Sequence, residues 1–294
     1  HGAALGDDEV AATKKELGLN PDEKFAMPDD VLNHVRKVKD RGAALHKEWD
    51  ARFATWKAAN PDRAVLLERL LKRELPSDIE KALPIFPAGK DVPTRKASGD
   101  VIQAIANVLP EFWGGSADLA GSNNTTIEGG NSFLPSGSEM KNADPYGRII
   151  HFGIREHAMG AILNGIALHG VAKPFAGTFL VFSDYMRGAV RLSALMDLPV
   201  TYVWSHDSIG LGEDGPTHQP VEHLAALRAI PNLAVVRPAD ANEVTVAWRE
   251  IINRSKAVGL ALSRQNLPVF DRSNCNSATG AIKGAYILRE PASG

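Results

Sequence analysis

Apolar residues keep a helical rhythm up to about residue 90 and then switch to a mixture of helical and strand rhythms. Val31, Val35, Val38, Leu45, Trp49, Phe53 and Trp56 recur at spacings of three, four or seven, which draws one apolar stripe along a long helix. Pro28 stands where a helix accepts its first proline, and Asn60-Pro61 marks the end. Asp7 to Leu17 predicts a shorter helix before it, and Asp62 to Leu75, carrying Val65, Leu66, Leu70 and Leu71, another after it. Pro76, Pro84, Pro87 and Pro93 then predict an extended connection. With charged residues on its remaining faces, this region reads as a helical connector between domains.

From about Ser98 the pattern alternates. It predicts a helix over 100–108, a strand near Phe112, a strand over 148–152, a helix from Glu156 and a strand over 173–179. A helix over 183–196, a strand over 200–204, a glycine-rich loop over 210–215 and a helix beginning near Pro220 follow. A strand over 234–236, a helix over 242–252 and a strand over 259–262 complete the series. Apolar strands separated by helices of about 10 to 15 residues imply an α/β fold with a doubly wound, mostly parallel sheet. Ligands of such sheets sit at the carboxyl ends of the strands. That rule singles out the loops 114–124, 153–156 and 206–218, together with Asp240 and Arg264.

One stretch stands apart. After Glu156, residues 157–170 place apolar or small side chains on nearly every helical face, the pattern of a helix buried on all sides. A carboxylate in the first turn of such a helix complements the helix dipole, and taken alone it needs no other role. A chemical role for Glu156 requires support from elsewhere in the chain.

Composition narrows the setting. Hydrophobic residues at 44% and charged ones at 23% suit a globular chain of about two domains. The net charge of -2 offers no basic surplus for nucleic acid or an anionic membrane surface. A single cysteine, Cys275, forms no intrachain disulfide, and no apolar run approaches the ~18 residues of a membrane span. A reducing, cytoplasmic setting is expected, with neither nucleic acid nor membrane as partner. His1 in place of Met is expected of a piece of a longer polypeptide.

The loop from His206 to His218 is the densest polar stretch. Gly210, Gly212 and Gly215 match a dinucleotide fingerprint, but Glu213 and Asp214 would repel a pyrophosphate, and no helix N-terminus follows directly. His206, Asp207, Asp214 and His218 are metal-ligand types, yet their spacing is none of the tight ligand patterns. Two imidazoles and a carboxylate on a glycine-shaped turn are better suited to gripping sugar hydroxyls and moving protons between oxygens. Arg95 and Lys96, placed just before the helix at 100, join Ser122, Asn123 and Arg264 on the same sheet edge, the donor set that phosphate recognition needs. Phe179, Phe182 and Tyr185, at i, i+3 and i+6, are either core or the wall of a site for a flat ring.

Four motifs in order, GGSADLAGSN at 114–123, GIREHAMG at 153–160, HDSIGLGEDGPTHQP at 206–220 and LSRQNLP at 262–268, resemble the transketolase family. The likeness covers most of residues 90–270, and HGAALGDDE at the start shares it. The resemblance implies a thiamine diphosphate enzyme of the pentose phosphate pathway that transfers a two-carbon ketol unit from a ketose phosphate to an aldose phosphate. It implies that Glu156 hydrogen-bonds the cofactor's pyrimidine ring, where an apolar surrounding favours a shared proton. Phe179, Phe182 and Tyr185 match the pyrimidine pocket, with Phe182 as the stacking ring, and Asp118 matches a residue beside the cofactor. Arg95, Ser122, His206 and Arg264 match substrate-phosphate contacts, Asp214 sugar-hydroxyl recognition, and His218 a histidine near the reacting carbons. His1 matches a histidine at the cofactor phosphate and the substrate.

The family's Gly-Asp-Gly motif and downstream Asn, which hold the diphosphate and its Mg2+ or other divalent metal, have no counterpart here, so no metal ligands are expected within the chain. The expected layout is the tail of a diphosphate domain and a helical connector over 1–90, a pyrimidine-binding α/β domain over 91–280, and the start of a truncated C-terminal domain over 281–294. Such a segment is expected to be inactive alone and to form a homodimer whose active sites are shared between subunits. A catalytically silent fragment, or a related thiamine enzyme such as a phosphoketolase or 1-deoxyxylulose phosphate synthase, is the alternative.

Overall fold

A computed structural model gives the arrangement of residues 2–291. The chain divides into two compact units between Leu66 and Leu67. The first holds α1 (Asp7–Glu16), α2 (Asp29–Ala59) and the opening turns of α3 (Pro61–Lys72). The predicted stripe forms on α2, and Trp49 stacks on Phe53 with ring centroids 4.7 Å apart. It is not a covered core, however: Val31, Val35, Val38, Leu45 and Trp49 all stay exposed.

The second unit continues with α4 (Ile79–Ala82), β1 (Asp91–Val92), α5 (Thr94–Val108), β2 (Phe112–Ser116) and α6 (Ala120–Asn123). Next come β3 (Ser132–Phe133), β4 (Ala143–Asp144), β5 (Ile149–His151), α7 (Glu156–His169), β6 (Lys173–Phe179) and α8 (Ser183–Leu195). After β7 (Thr201–Ser205) the chain forms α9 (His223–Arg228), β8 (Ala234–Val236), α10 (Ala241–Asn253), β9 (Val258–Leu262) and β10 (Leu267–Pro268). Eight strands form one sheet in the order β4-β3-β5-β2-β6-β7-β9-β8, with every pairing parallel. β1 and β10 make a small antiparallel clip, Asp91 opposite Pro268.

Successive residues of a strand point to opposite faces, and each face here carries its own helices. Phe175, Val203, Leu260 and Leu262 join Ile102, Ile105, Trp248 and Ile251 of α5 and α10 in one core. Ala176, Tyr202, Trp204 and Ala261 join Met159, Leu163, Met186 and Val190 of α7 and α8 in the other. Trp248 meets Phe112 and Phe175 edge-on, at 5.8 and 6.4 Å, and its Nε1 donates to Ser98 Oγ at 2.8 Å. Burying each large apolar side chain this way contributes about 1.5–3 kcal/mol. The doubly wound α/β expectation holds.

Three local expectations need correction. α5 begins at Thr94, so Arg95 and Lys96 lie in its first turn and not before it. Thr94 Oγ1 donates to Ser263 Oγ at 3.1 Å and Arg95 N–H to the Ser263 carbonyl at 3.3 Å, which anchors that turn on the end of β9. The helix expected near Pro220 starts at His223, because residues 216–218 close a 3-10 turn first. α7 buries Glu156, Met159, Gly160, Leu163, Asn164 and Ala167 but exposes Ala158, Ala161, Ile162, Gly165 and Leu168. An apolar pattern states what a helix tolerates on each face; which face is covered is decided by neighbours, and α7 has them on one side only.

Candidate active site

The carboxyl edge of the sheet gathers the charged residues. Arg95, on the first turn of α5, donates from Nη1 to the Ser122 carbonyl at 2.6 Å. The first cause that holds its guanidinium below the usual range is burial, and the second is the positive charge of Arg264. Two guanidiniums that repel each other in a half-buried recess are a poised anion site. Arg264, one residue beyond Ser263, keeps one weak pairing with the exposed Glu213, at 3.6 Å.

His206 sits at the centre. It follows β7 with a φ of 57°, a left-handed backbone that a side-chain-bearing residue rarely adopts, and it is 3% exposed. Burial, then the charge of Arg95, pushes its imidazole down to about 4; Asp214 pulls the other way, and Arg264 and His218 add to the lowering. The ring is therefore neutral near pH 7. Its Nε2 stands 3.9 Å from Asp214 Oδ2, beyond hydrogen-bond range.

Aromatic rings wall the same place. Phe179, at the end of β6, stacks on His206 with centroids 3.7 Å apart. Phe182 lies parallel to Phe179 at 5.7 Å, and His218 meets both edge-on, at 5.3 Å from Phe182 and 5.9 Å from Phe179. Tyr185 extends the row at 6.0 Å from Phe182 and is largely exposed. Parallel rings with an imidazole edge beside them suit a flat heteroaromatic ligand.

The structure thus brings together Arg95, Ser122, Phe179, Phe182, Tyr185, His206, Asp214, His218 and Arg264 from loops far apart in sequence. Glu156 is buried in the first turn of α7, after β5, and Asp118 follows β2 with a φ of 61°. Asp118 lines a cavity of about 490 Å³ with Ser116, Gly121 and His151. His1 lies outside the described residues. Asp207 is buried and accepts from Arg237 Nε at 2.7 Å.

Sequence reasoning passed over two groups. Ser205 is fully buried and bonded both to Asn123 and to His206, and only its place before His206 at a strand end hinted at this. His223, Asp184 and Glu222 also come together, with His223 Nε2 3.1 Å from Asp184 Oδ2. Arg187 Nη2 donates to the same aspartate at 3.3 Å, which balances its charge.

Residues 90–269 match the family described as transketolase, pyrimidine binding domain. The chain belongs to the transketolase family. Residues 1–76 match the transketolase thiamine diphosphate binding domain. The transketolase of Mycobacterium tuberculosis (strain ATCC 25618 / H37Rv) is 57% identical over 99% of this chain, and that of Geobacillus stearothermophilus is 49% identical over 98%. A solved transketolase from Pichia stipitis in complex with sedoheptulose 7-phosphate is 44% identical, with a TM-score of 0.91 over 100% of this chain and 43% of its own. Transketolase from Leishmania mexicana is 42% identical with a TM-score of 0.88, covering 97% of this chain and 41% of its own. The chain spans 42% of the length of the curated transketolases named above. Transketolases are transferases, and both matched domains belong to thiamine diphosphate enzymes.

Proposed function

We propose that this chain supplies the pyrimidine-binding and sugar-phosphate-binding half of a transketolase site, with residues 91–280 as the pyrimidine domain and residues 1–90 as the end of the diphosphate domain with its connector. The reaction is the reversible transfer of a two-carbon ketol unit between a ketose phosphate and an aldose phosphate, in the cytoplasmic pentose phosphate pathway. The single observation that carries this reading is the convergence of Arg95, Arg264 and the neutral His206 beside the Phe179–Phe182 stack, a place for a phosphate next to a place for a flat ring.

Bound thiamine diphosphate supplies the nucleophilic carbon and the electron sink that this chemistry requires. Phe179, Phe182 and Tyr185 would hold its ring, with Asp118 beside it, and Glu156 would share a proton with a ring nitrogen from the start of α7. Arg95, Arg264, His206 and the Ser122 turn bind the sugar's phosphate, Asp214 accepts from a sugar hydroxyl, and His218 moves a proton near the reacting carbons. His1 is proposed for the same end of the site. Mg2+ or another divalent cation belongs with the diphosphate. The apolar outer faces of α7 and α8 support a homodimer that completes each site with residues of the second subunit.

The test uses the full-length transketolase that contains this sequence, with xylulose 5-phosphate as donor and ribose 5-phosphate as acceptor. Glu156→Gln keeps size and one hydrogen bond while losing the shared proton. Proton exchange at the cofactor's C2 should slow by about 10²-fold or more, while cofactor affinity changes little. Unchanged exchange would remove Glu156 from its role, and absence of ketol transfer by the wild type would remove the activity itself.

A further inference from the structure

The hydrogen bonds behind His206 form a chain in which each donor can be assigned from the one before. The Gly177 carbonyl only accepts, so the Ser116 hydroxyl donates to it at 2.9 Å. Leu119 N–H donates to Ser116 Oγ at 3.0 Å. With the hydroxyl proton of Ser116 committed, Asn123 approaches Ser116 Oγ, at 3.1 Å, with its amide nitrogen. Asn123 Oδ1 therefore faces Ser205, whose hydroxyl donates to it at 2.5 Å. Ser205 has no second proton, so its 2.9 Å contact with His206 Nδ1 is a bond that Nδ1–H donates. Ser116, Asn123, Ser205 and His206 are 4%, 0%, 0% and 3% exposed, which keeps water from rewriting the sequence.

We infer that Asn123 and Ser205 are positioning residues that lock His206 in the tautomer protonated on Nδ1, leaving Nε2 a bare acceptor, so that a phosphate enters this site together with one proton. The inference rests on the phosphate-site reading above. The groups facing the imidazole are Arg95 from α5, Arg264 after β9, and Asp214 and His218 from the loop after β7, with Phe179 against the ring. None of them donates to Nε2; the 3.9 Å gap to Asp214 is what two acceptors leave between them. A phosphate monoester is mostly a dianion above its second pKa of about 6, and it too offers Nε2 only acceptor oxygens. One proton must come from solvent to lie between nitrogen and oxygen. The Ser205 bond is compatible with that change because Nδ1–H donates in both states. Linkage then makes binding of the dianion weaken by about tenfold per pH unit on the alkaline side.

Nitrogen-15 spectra of protein labelled at histidine and arginine test both halves on one sample. In the free protein His206 should show a protonated Nδ1 and a bare Nε2, and a protonated Nε2 would overturn the assignment. Ser205→Ala should release the ring into a mixture of tautomers, with Ser205→Thr restoring the single one; an unchanged tautomer in Ser205→Ala would remove Ser205 from its role. Ribose 5-phosphate added at pH 7.5 should protonate Nε2. If the Arg95 and Arg264 side-chain signals respond while Nε2 stays bare, the coupled proton is wrong. If none of the three responds, the phosphate-site reading fails, and the coupling with it, while the tautomer result stands independently.

Discussion

Arg264 has room beside the loop after β7 because Gly212 takes a φ of 100°, where a side chain would be strained; a Cβ there would lie 3.0 Å from the guanidinium. The arginine keeps one weak partner, so most of its hydrogen-bonding capacity remains for a ligand. Arg264→Ala is expected to weaken binding of phosphorylated sugars by about 1.5–3 kcal/mol, with a smaller loss for their unphosphorylated counterparts. Titrations with ribose 5-phosphate and ribose, compared across wild type and variant, check this, and equal losses would argue against phosphate contact. At this scale much was legible in advance. Arg264, His206 and Asp214 lie where the strand-end rule points, since parallel strands aim their following loops at one edge. The support from Asn123 to Ser205 was not legible, because a hydrogen bond across 82 positions leaves no local pattern.

At the scale of elements, α7 and α8 cross in close contact at Gly160. Gly160 lets them approach: a Cβ there would stand 2.8 Å from Ala189 Cβ and 3.3 Å from Met186 Cε. Polar groups bridge the same crossing, with Asn164 Nδ2 donating to the Ala189 carbonyl at 3.0 Å and Ser193 Oγ donating to Asn164 Oδ1 at 2.5 Å. Gly160→Ala should therefore destabilise the protein, by about 1–3 kcal/mol, although alanine is the better helix former. A urea midpoint that stays put or rises would show that the helices separate freely. The periodicities that located α7, α8 and α10 failed at β3 and β4, which are two residues each and too short to display alternation. They also set the start of α5 six residues late, because Thr94 and Arg95 are held by Ser263 and not by any helical repeat of apolar residues.

For the whole molecule, the uncovered faces matter most. Ile162 and Leu168 on α7, Leu192 and Leu195 on α8, and Met196 just after it are all at least 47% exposed, a concentration of apolar surface that commonly marks an interface. Leu195→Glu is expected to weaken self-association of the chain by at least about tenfold while leaving its circular dichroism unchanged, since Leu195 is 62% exposed here. Sedimentation velocity over a concentration series would check it; an unchanged association constant would exclude this face from the proposed dimer. The order of helices and strands, the parallel doubly wound sheet, the family, and the loops that carry the candidate site are readable along the chain, because they follow from local periodicity and from contiguous motifs. Which side of α7 is covered, where Arg95 stands, and which nitrogen of His206 carries the proton come instead from the folded arrangement. Each of those depends on partners from distant strands, and the demand for burial or for a donor is written locally while the group that meets it is not.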